Sequence, residues 1–323
     1  MSILWCGGED VDFKYGINSP LVSTSSVFNS NYARCGLYLG NYCYSNPFPN
    51  GPVTEAWVHS RCYLNTSITS TSDTLLFGLD DPITSSGLWL RKTVGQAVLR
   101  KRIAGVWTTL ATETGASLAY GSSKPLDLYI KYAEEGIFRA YLEGTLLVEY
   151  TGDLRLPDVT NFQHFSIYGS TLASAACLSE FIVADEDTRL MSLKTLAPNA
   201  AGDTNDWTGA YTAVDEVTNS DADLIYTDQF DQDFMCNLTG MPTGDFICKG
   251  VKIATRITDG IGGVRVQVGV KTNSEVDVSD THELGGVFET VEQLYQENPI
   301  TNNRFTPAEI EALQVVLRSK EIV

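Results

Sequence analysis

LDLYIKYAEEGIFRAYLEGTLLVEY, residues 126–150, alternates apolar and polar side chains three times with two tight breaks. Leu126, Leu128, Ile130 and Tyr132 fall on one face, with Asp127, Tyr129 and Lys131 on the other. A period of two is the signature of a strand with one buried face. Glu134-Glu135-Gly136 then supplies a turn, with Gly136 available for a positive φ. Phe138, Ala140 and Leu142 resume the buried face. Glu143-Gly144-Thr145 turns again into Leu146, Val148 and Tyr150. The stretch therefore predicts a three-strand antiparallel meander.

Upstream the same grammar repeats. GLWLRK, QAVLRKRIAGVW and WTTLATE give further short strands, with Gly95 and Gly105 between them. No run of ten residues carries helical periodicity from Val53 to Val183, and regularly spaced short strands of this kind imply a two-layer sandwich or jelly roll. SEFIVADEDTR, 179–189, opens as a buried strand and is cut off by Asp185, Glu186 and Asp187. Beyond Arg189 comes loop-like LAPNAAGDTNDWTGAY, then new strands in FICKGVKIATRIT and VRVQVGVKT. The expected organisation is thus one all-β domain over 1–187 and a second over 188–323.

The chain end reads differently. In FTPAEIEALQVVLRS, Thr306 is a helix N-cap, Pro307 fits the first helical position and Glu309 completes a capping box. A short helix over about 307–318 is predicted, with Ile310, Leu313 and Leu317 on one face as a candidate docking surface for a neighbouring subunit.

Composition narrows the function classes. The 323 residues carry a net charge of −18. Residues 1–185 hold 12 basic and 17 acidic side chains, against 10 and 23 in 186–323. Such a body repels phosphate backbones, so nucleic-acid binding is not expected. The N-terminus lacks a basic lead and no stretch approaches the ~18 apolar residues of a membrane span, so neither a signal peptide nor membrane insertion is expected. Seven cysteines with no CxxC pair predict reduced thiols and no zinc site; Cys6 and Cys177 are candidate spatial neighbours.

Catalytic motifs are missing. His59, His164 and His282 are the three histidines, and His59 and His164 sit within strand patterns. No nucleophile elbow, phosphate-cradling glycine loop or HExxH occurs. The nearest carboxylate pair for sugar hydrolysis is Glu275 with Asp277. The aspartates of DADLIYTDQFDQD lack the glycine of a calcium loop and predict a solvated face. No catalytic residue, metal or cofactor is therefore expected. LGNYCYSNPFPNGP gathers Tyr42, Tyr44 and Phe48 with Asn41, Asn46 and Asn50, and reads as an aromatic loop able to stack on a glycan or fit a partner. Arg91, Lys92, Arg100, Lys101 and Arg102 read as outward strand positions facing an acidic neighbour.

From Ala56 to Asp187 the order of features resembles the laminin G / concanavalin A-like jelly roll. AWVHSRCYLNTS, YLEGTLLVEYTGD and FQHFSIYGSTLASAACLSEFIVADEDTR carry the resemblance. It implies that Leu178–Val183 is a closing strand pairing near SILWCGG. The wider layout resembles structural proteins of tailed bacteriophages, through LWCGGEDVDF, the junction SEFIVADEDTR…LAPNAAGDTNDWTG, and NPITNNRFTPAEIEALQ. That resemblance implies a non-enzymatic virion component, made in the host bacterial cytoplasm and placed at the tail tip or fibre, or as head decoration or collar. Its partners would be further copies of itself, other virion proteins and a host surface glycan. The alternative expectation is a lectin-like carbohydrate-binding module; a glycan-degrading enzyme is the third.

Overall fold

The computed structural model describes residues 2–15, 21–23, 28, 30–38, 42–64, 74–93, 96–114, 122–168, 176–217, 220–238, 240, 245–259 and 264–321. The predicted turn at Gly95 and the candidate anchor Asn41 lie outside them. Among the described residues the architecture is predominantly β-strand, with one short α-helix near the C-terminus. The chain divides into two compact units, Met1–Leu193 and Lys194–Val323. Among the described residues no helix is long and apolar enough to cross a membrane.

Unit 1 is an antiparallel two-sheet sandwich of fifteen described strands: β1 (Ile3–Gly7), β2 (Phe13–Tyr15), β3 (Leu21–Ser23), β4 (Gly36–Tyr38), β5 (Tyr42–Ser45), β6 (Glu55–Leu64), β7 (Thr74–Asp81), β8 (Ser86–Thr93), β9 (Gln96–Ile103), β10 (Val106–Thr114), β11 (Lys124–Lys131), β12 (Gly136–Leu142), β13 (Thr145–Gly152), β14 (His164–Tyr168) and β15 (Ala176–Ala184). The back sheet runs β13-β12-β11-β6-β15-β4-β3, with β1 added on β15. The front sheet runs β10-β9-β8-β7-β14-β5-β2.

The alternation in 126–150 has the expected consequence. Leu126, Leu128, Ile130, Phe138 and Ala140 are fully buried between the sheets, and Val148 nearly so. They meet Phe77, Leu79, Leu88, Leu90, Leu99 and Phe165 from the front sheet in one apolar cluster. Glu143 (φ 49°) and Gly144 (φ 76°) both adopt positive φ, as a tight hairpin turn demands. Gly136 serves another purpose than the one its sequence context suggested. It has no positive φ; instead a Cβ there would lie 2.7 Å from the Lys131 carbonyl oxygen and 2.8 Å from Leu154.

β15 closes the back sheet between β6 and β4 and also pairs with β1, Cys6 opposite Ile182 and Gly7 opposite Phe181. That is the pairing the jelly-roll resemblance implied. A bulge between Ser179 and Ile182 puts Glu180 at φ 56°, fully buried, where Arg61 lies 3.1 Å away. The sharp acidic stop after Ala184 is a strap. Asp185 accepts from the Ser2 amide, Asp187 is held by Arg189, and Thr188 donates to Asp127 at 2.8 Å. All seven cysteines are thiols rather than disulfides. Cys177 lies one register step from Cys62, across from Tyr63, whereas Cys6 pairs near the far end of β15; the expected Cys6–Cys177 proximity is corrected to Cys62.

Unit 2 carries β16 (Pro198–Asn205), β17 (Asp233–Leu238), β18 (Val251–Ile257), β19 (Val264–Thr272), β20 (Glu275–Val278), β21 (His282–Glu283), β22 (Glu289–Tyr295), α1 (Pro307–Glu311) and β23 (Gln314–Glu321). One sheet runs β16-β17-β23-β19-β20 with β21 on β19, and β18 pairs with β22. Val266, Val268, Val270, Phe234, Ile253, Val291 and Tyr295 form its core.

The terminal helix is shorter than predicted. Its capping box is present, Thr306 and Glu309 bonding reciprocally, but it ends at Glu311 rather than near 318. Gln314–Glu321 is instead a central strand between β17 and β19. Val315 and Val316 favour that state, and ladders on both sides outweigh the local helical spacing. Ile310, Leu313 and Leu317 are all buried in the core of their own unit. They form no docking surface.

Candidate functional site

The outer face of the front sheet brings together side chains far apart in sequence. Inward positions of β8 are Leu88 and Leu90, so Trp89 and Arg91 point away from the core. On β9, Leu99 faces inward and Arg100 and Arg102 outward. Register sets Trp89 against Arg100 on one side and Gly78 on the other, and Gly87 between Arg102 and Asp80. Trp107 of β10 stands opposite Arg102.

Trp89 is completely buried, yet it belongs to the outer face. Tyr42 flanks it with ring centroids 6.3 Å apart, and Trp107 meets it edge-on at 6.0 Å. The guanidinium carbons of Arg100 and Arg102 lie 5.4 and 5.2 Å from the Trp107 ring centre. Each such contact contributes about 0.5–1 kcal/mol at a partly exposed site. Close approach requires the two glycines. A Cβ on Gly78 would sit 1.9 Å from the Leu88 carbonyl oxygen, and one on Gly87 would sit 2.4 Å from Asp80 Oδ1.

Asp80 is buried beside this cluster and accepts a 2.6 Å hydrogen bond from the Tyr42 hydroxyl. Burial raises its pKa to about 6, although Tyr42 and Arg102 pull the other way. The Tyr42 phenol is pushed far up, by burial first and the Asp80 charge second. Burial lowers the pKa of Arg91 and Arg100, and Arg91 is further lowered by Arg100. Of these cations, Arg102 is the one whose charge acts on Asp80. Hydrolysis with paired carboxylates needs two on opposite sides of the bond; strands β7–β9 present Asp80 alone on this face.

The aromatic loop expected at 42–48 is corrected. Tyr42–Ser45 is strand β5, Phe48 is buried in the sandwich core at 3 % exposure, and the Phe48 amide bonds to the Gln163 carbonyl. Of the three aromatics, Tyr42 joins the front-face cluster. Tyr44 lies beside it, its ring tilted and 5.7 Å away, and meets His164 edge-on. The basic group is corrected as well: Lys92 takes the opposite side from Arg91 and is 2 % exposed. The missed partners were Asp80, Trp89 and Trp107. The two-residue spacings of Trp89 to Arg91 and of Arg100 to Arg102 were visible, but not which strands lie side by side.

The back sheet offers a contrasting surface. A shallow cavity of about 680 Å³ is lined by Arg61, Pro125, Glu143, Asp187, Arg189 and Leu190, among others. Arg189 stacks on Trp57 and Tyr141 at 5.3 and 4.8 Å. Here every arginine has its acid: Arg61 with Glu180, Arg189 with Asp187. Beneath the strap, His59 Nδ1 lies 2.8 Å from Asp127 Oδ1, both fully buried. In unit 2, Asp221 pairs with Arg256, Asp231 with Lys320 and Asp233 with Arg318. Among the described residues no group of three or more His, Cys, Asp or Glu could hold a metal ion.

No protein-family model and no curated protein matches the chain. Solved structures similar to part of it include a carbohydrate-binding module from Bacillus subtilis, at 10% identity and TM-score 0.37, covering 53% of this chain and 94% of that one. An endo-β-1,4-glucuronan lyase from the fungus Trichoderma reesei matches at 11% identity and TM-score 0.35, over 57% and 91% of the two chains. The globular domain of T. cruzi calreticulin matches at 12% identity and TM-score 0.41, over 58% and 90%. Likenesses this distant fix neither ligand nor activity.

Proposed function

We propose that unit 1 is a carbohydrate-binding module whose ligand lies across the outer face of the front sheet. One observation carries this: aromatic rings and arginines from β5, β8, β9 and β10 converge on that face, away from the core they would otherwise fill. Sugar rings present C–H faces to aromatics and hydroxyls to fixed donors, and this surface supplies both. Trp107 is the stacking platform; Arg100 and Arg102 are the donors. The module binds without cleaving. It is carried on a virion, as the phage resemblance implies, where it attaches the particle to its host's surface polysaccharide.

Affinity electrophoresis through gels cast with a panel of polysaccharides tests the binding. The protein is retarded by at least one of them, and Trp107→Ala weakens retardation at least fivefold while leaving Tm within a few degrees. Retardation by none of the panel contradicts the proposal. Release of reducing ends or unsaturated products from the retained polysaccharide contradicts the non-enzymatic part. Detecting the chain in purified phage particles tests its placement.

A further inference from the structure

We infer that the front-face site selects an acidic polysaccharide, one whose chain repeats carboxylate, sulfate or phosphate groups, through Arg100 and Arg102. This inference rests on the glycan-binding reading above and adds the charge of the ligand to it.

The argument is one of charge and of unspent donors. The whole chain carries −18, and a charged patch opposing that balance needs a reason. Arg100 and Arg102 take part in no ion pair with any described residue, and their buried Nε atoms have no hydrogen-bond acceptor. Buried donors are nearly always satisfied; these two Nε atoms are sealed against the sheet, so a ligand's acceptors would be met by the outer nitrogens of the two guanidiniums, which form no hydrogen bond to a described residue. The stack on Trp107 holds both guanidiniums in position but gives their N–H groups no acceptor. Asp80 offsets only part of this charge. With a pKa of about 6 it is ionised at neutral pH and acts on Arg102, but it is one buried carboxylate, and one of its oxygens accepts from Tyr42.

Geometry favours an extended polyanion over a single ion. Arg100 and Arg102 are two residues apart on one strand, about 6.8 Å along the backbone, and both guanidiniums lean on the one Trp107 ring, so two forks lie side by side. Planar guanidinium forks match carboxylate and other oxyanions two bonds at a time. The back-sheet cavity lacks this property, because each of its arginines is already matched by an acid.

The test titrates the full chain, following tryptophan fluorescence, with polygalacturonate, with the same polymer fully methyl-esterified, and with dextran sulfate. Polygalacturonate or dextran sulfate is expected to bind at least tenfold tighter than the neutral ester. Arg100→Gln and Arg102→Gln each reduce that preference about tenfold, whereas Arg100→Lys, which keeps the charge, retains part of it. Trp107→Ala weakens both charged and neutral polymers, the charged ones at least as much, because it also releases the two guanidiniums. Binding by polygalacturonate alone assigns the site to carboxylates; binding by dextran sulfate alone assigns it to sulfate esters. If the ester binds as tightly as the acid in a Trp107-dependent manner, the charge inference is overturned and glycan binding stands. An unchanged preference in a folded Arg100→Gln, Arg102→Gln double variant overturns it too. Failure of every polysaccharide, neutral ones included, defeats the underlying reading instead.

Discussion

Asp80 is the residue on which the chemistry of the front face turns. Tyr42 from β5 and Arg102 from β9 face it, Asp81 follows it on β7, and His164 of β14 lies opposite it in register. Its pKa rises from 3.8 to about 6. A carboxyl that holds its proton more tightly when folded stabilises the fold at low pH, and that contribution is lost as pH climbs from about 4 to about 6. The loss is on the order of 3 kcal/mol. Urea unfolding of the parent protein should therefore weaken across this window, and Asp80→Asn should flatten that part of the profile. Affinity for dextran sulfate, whose charge is constant there, should fall a few-fold as Asp80 ionises. An affinity that rises with pH contradicts this account of the site. Thr188 makes a second test at this scale: Thr188→Val takes a donor from buried Asp127 and should cost about 1–3 kcal/mol, measured by the same unfolding.

At the scale of elements, what the sequence disclosed followed the range of the interactions involved. Strands β11 to β13 were readable because alternation and the Glu143-Gly144 turn are local and agree with each other. The closing strand was readable from its apolar run and from a resemblance, not from its pairing. The C-terminal segment misled because Thr306, Pro307 and Glu309 are genuine start signals for a helix of only five residues. Nothing local stops that helix near Ala312; the sites waiting on β17 and β19 do. The front-face cluster was half legible for the same reason. Arg100 and Arg102 announced themselves, whereas their proximity to Asp80 and Tyr42 depends on β7 and β14 lying between distant strands. Thr306→Ala should cost about 1 kcal/mol, as loss of one cap does, and no more. A loss of several kcal/mol in thermal melts contradicts a helix this short.

For the whole molecule, the two apolar clusters have no buried residue in common. Phe165→Ala should destabilise unit 1 by about 3–5 kcal/mol through the cavity it opens, and Val268→Ala should act on unit 2. Calorimetry of each variant should show one transition move while the other holds; joint movement of a single transition contradicts separate cores. Function in this account belongs to unit 1 alone, on one face of one sheet. Hydrogen–deuterium exchange of the full chain with and without polygalacturonate tests that claim most directly. Protection should map to peptides covering β8, β9 and β10, residues 86–114, with β5 following. Protection confined to the 185–190 strap or to unit 2, with 86–114 unchanged in a bound complex, would contradict it.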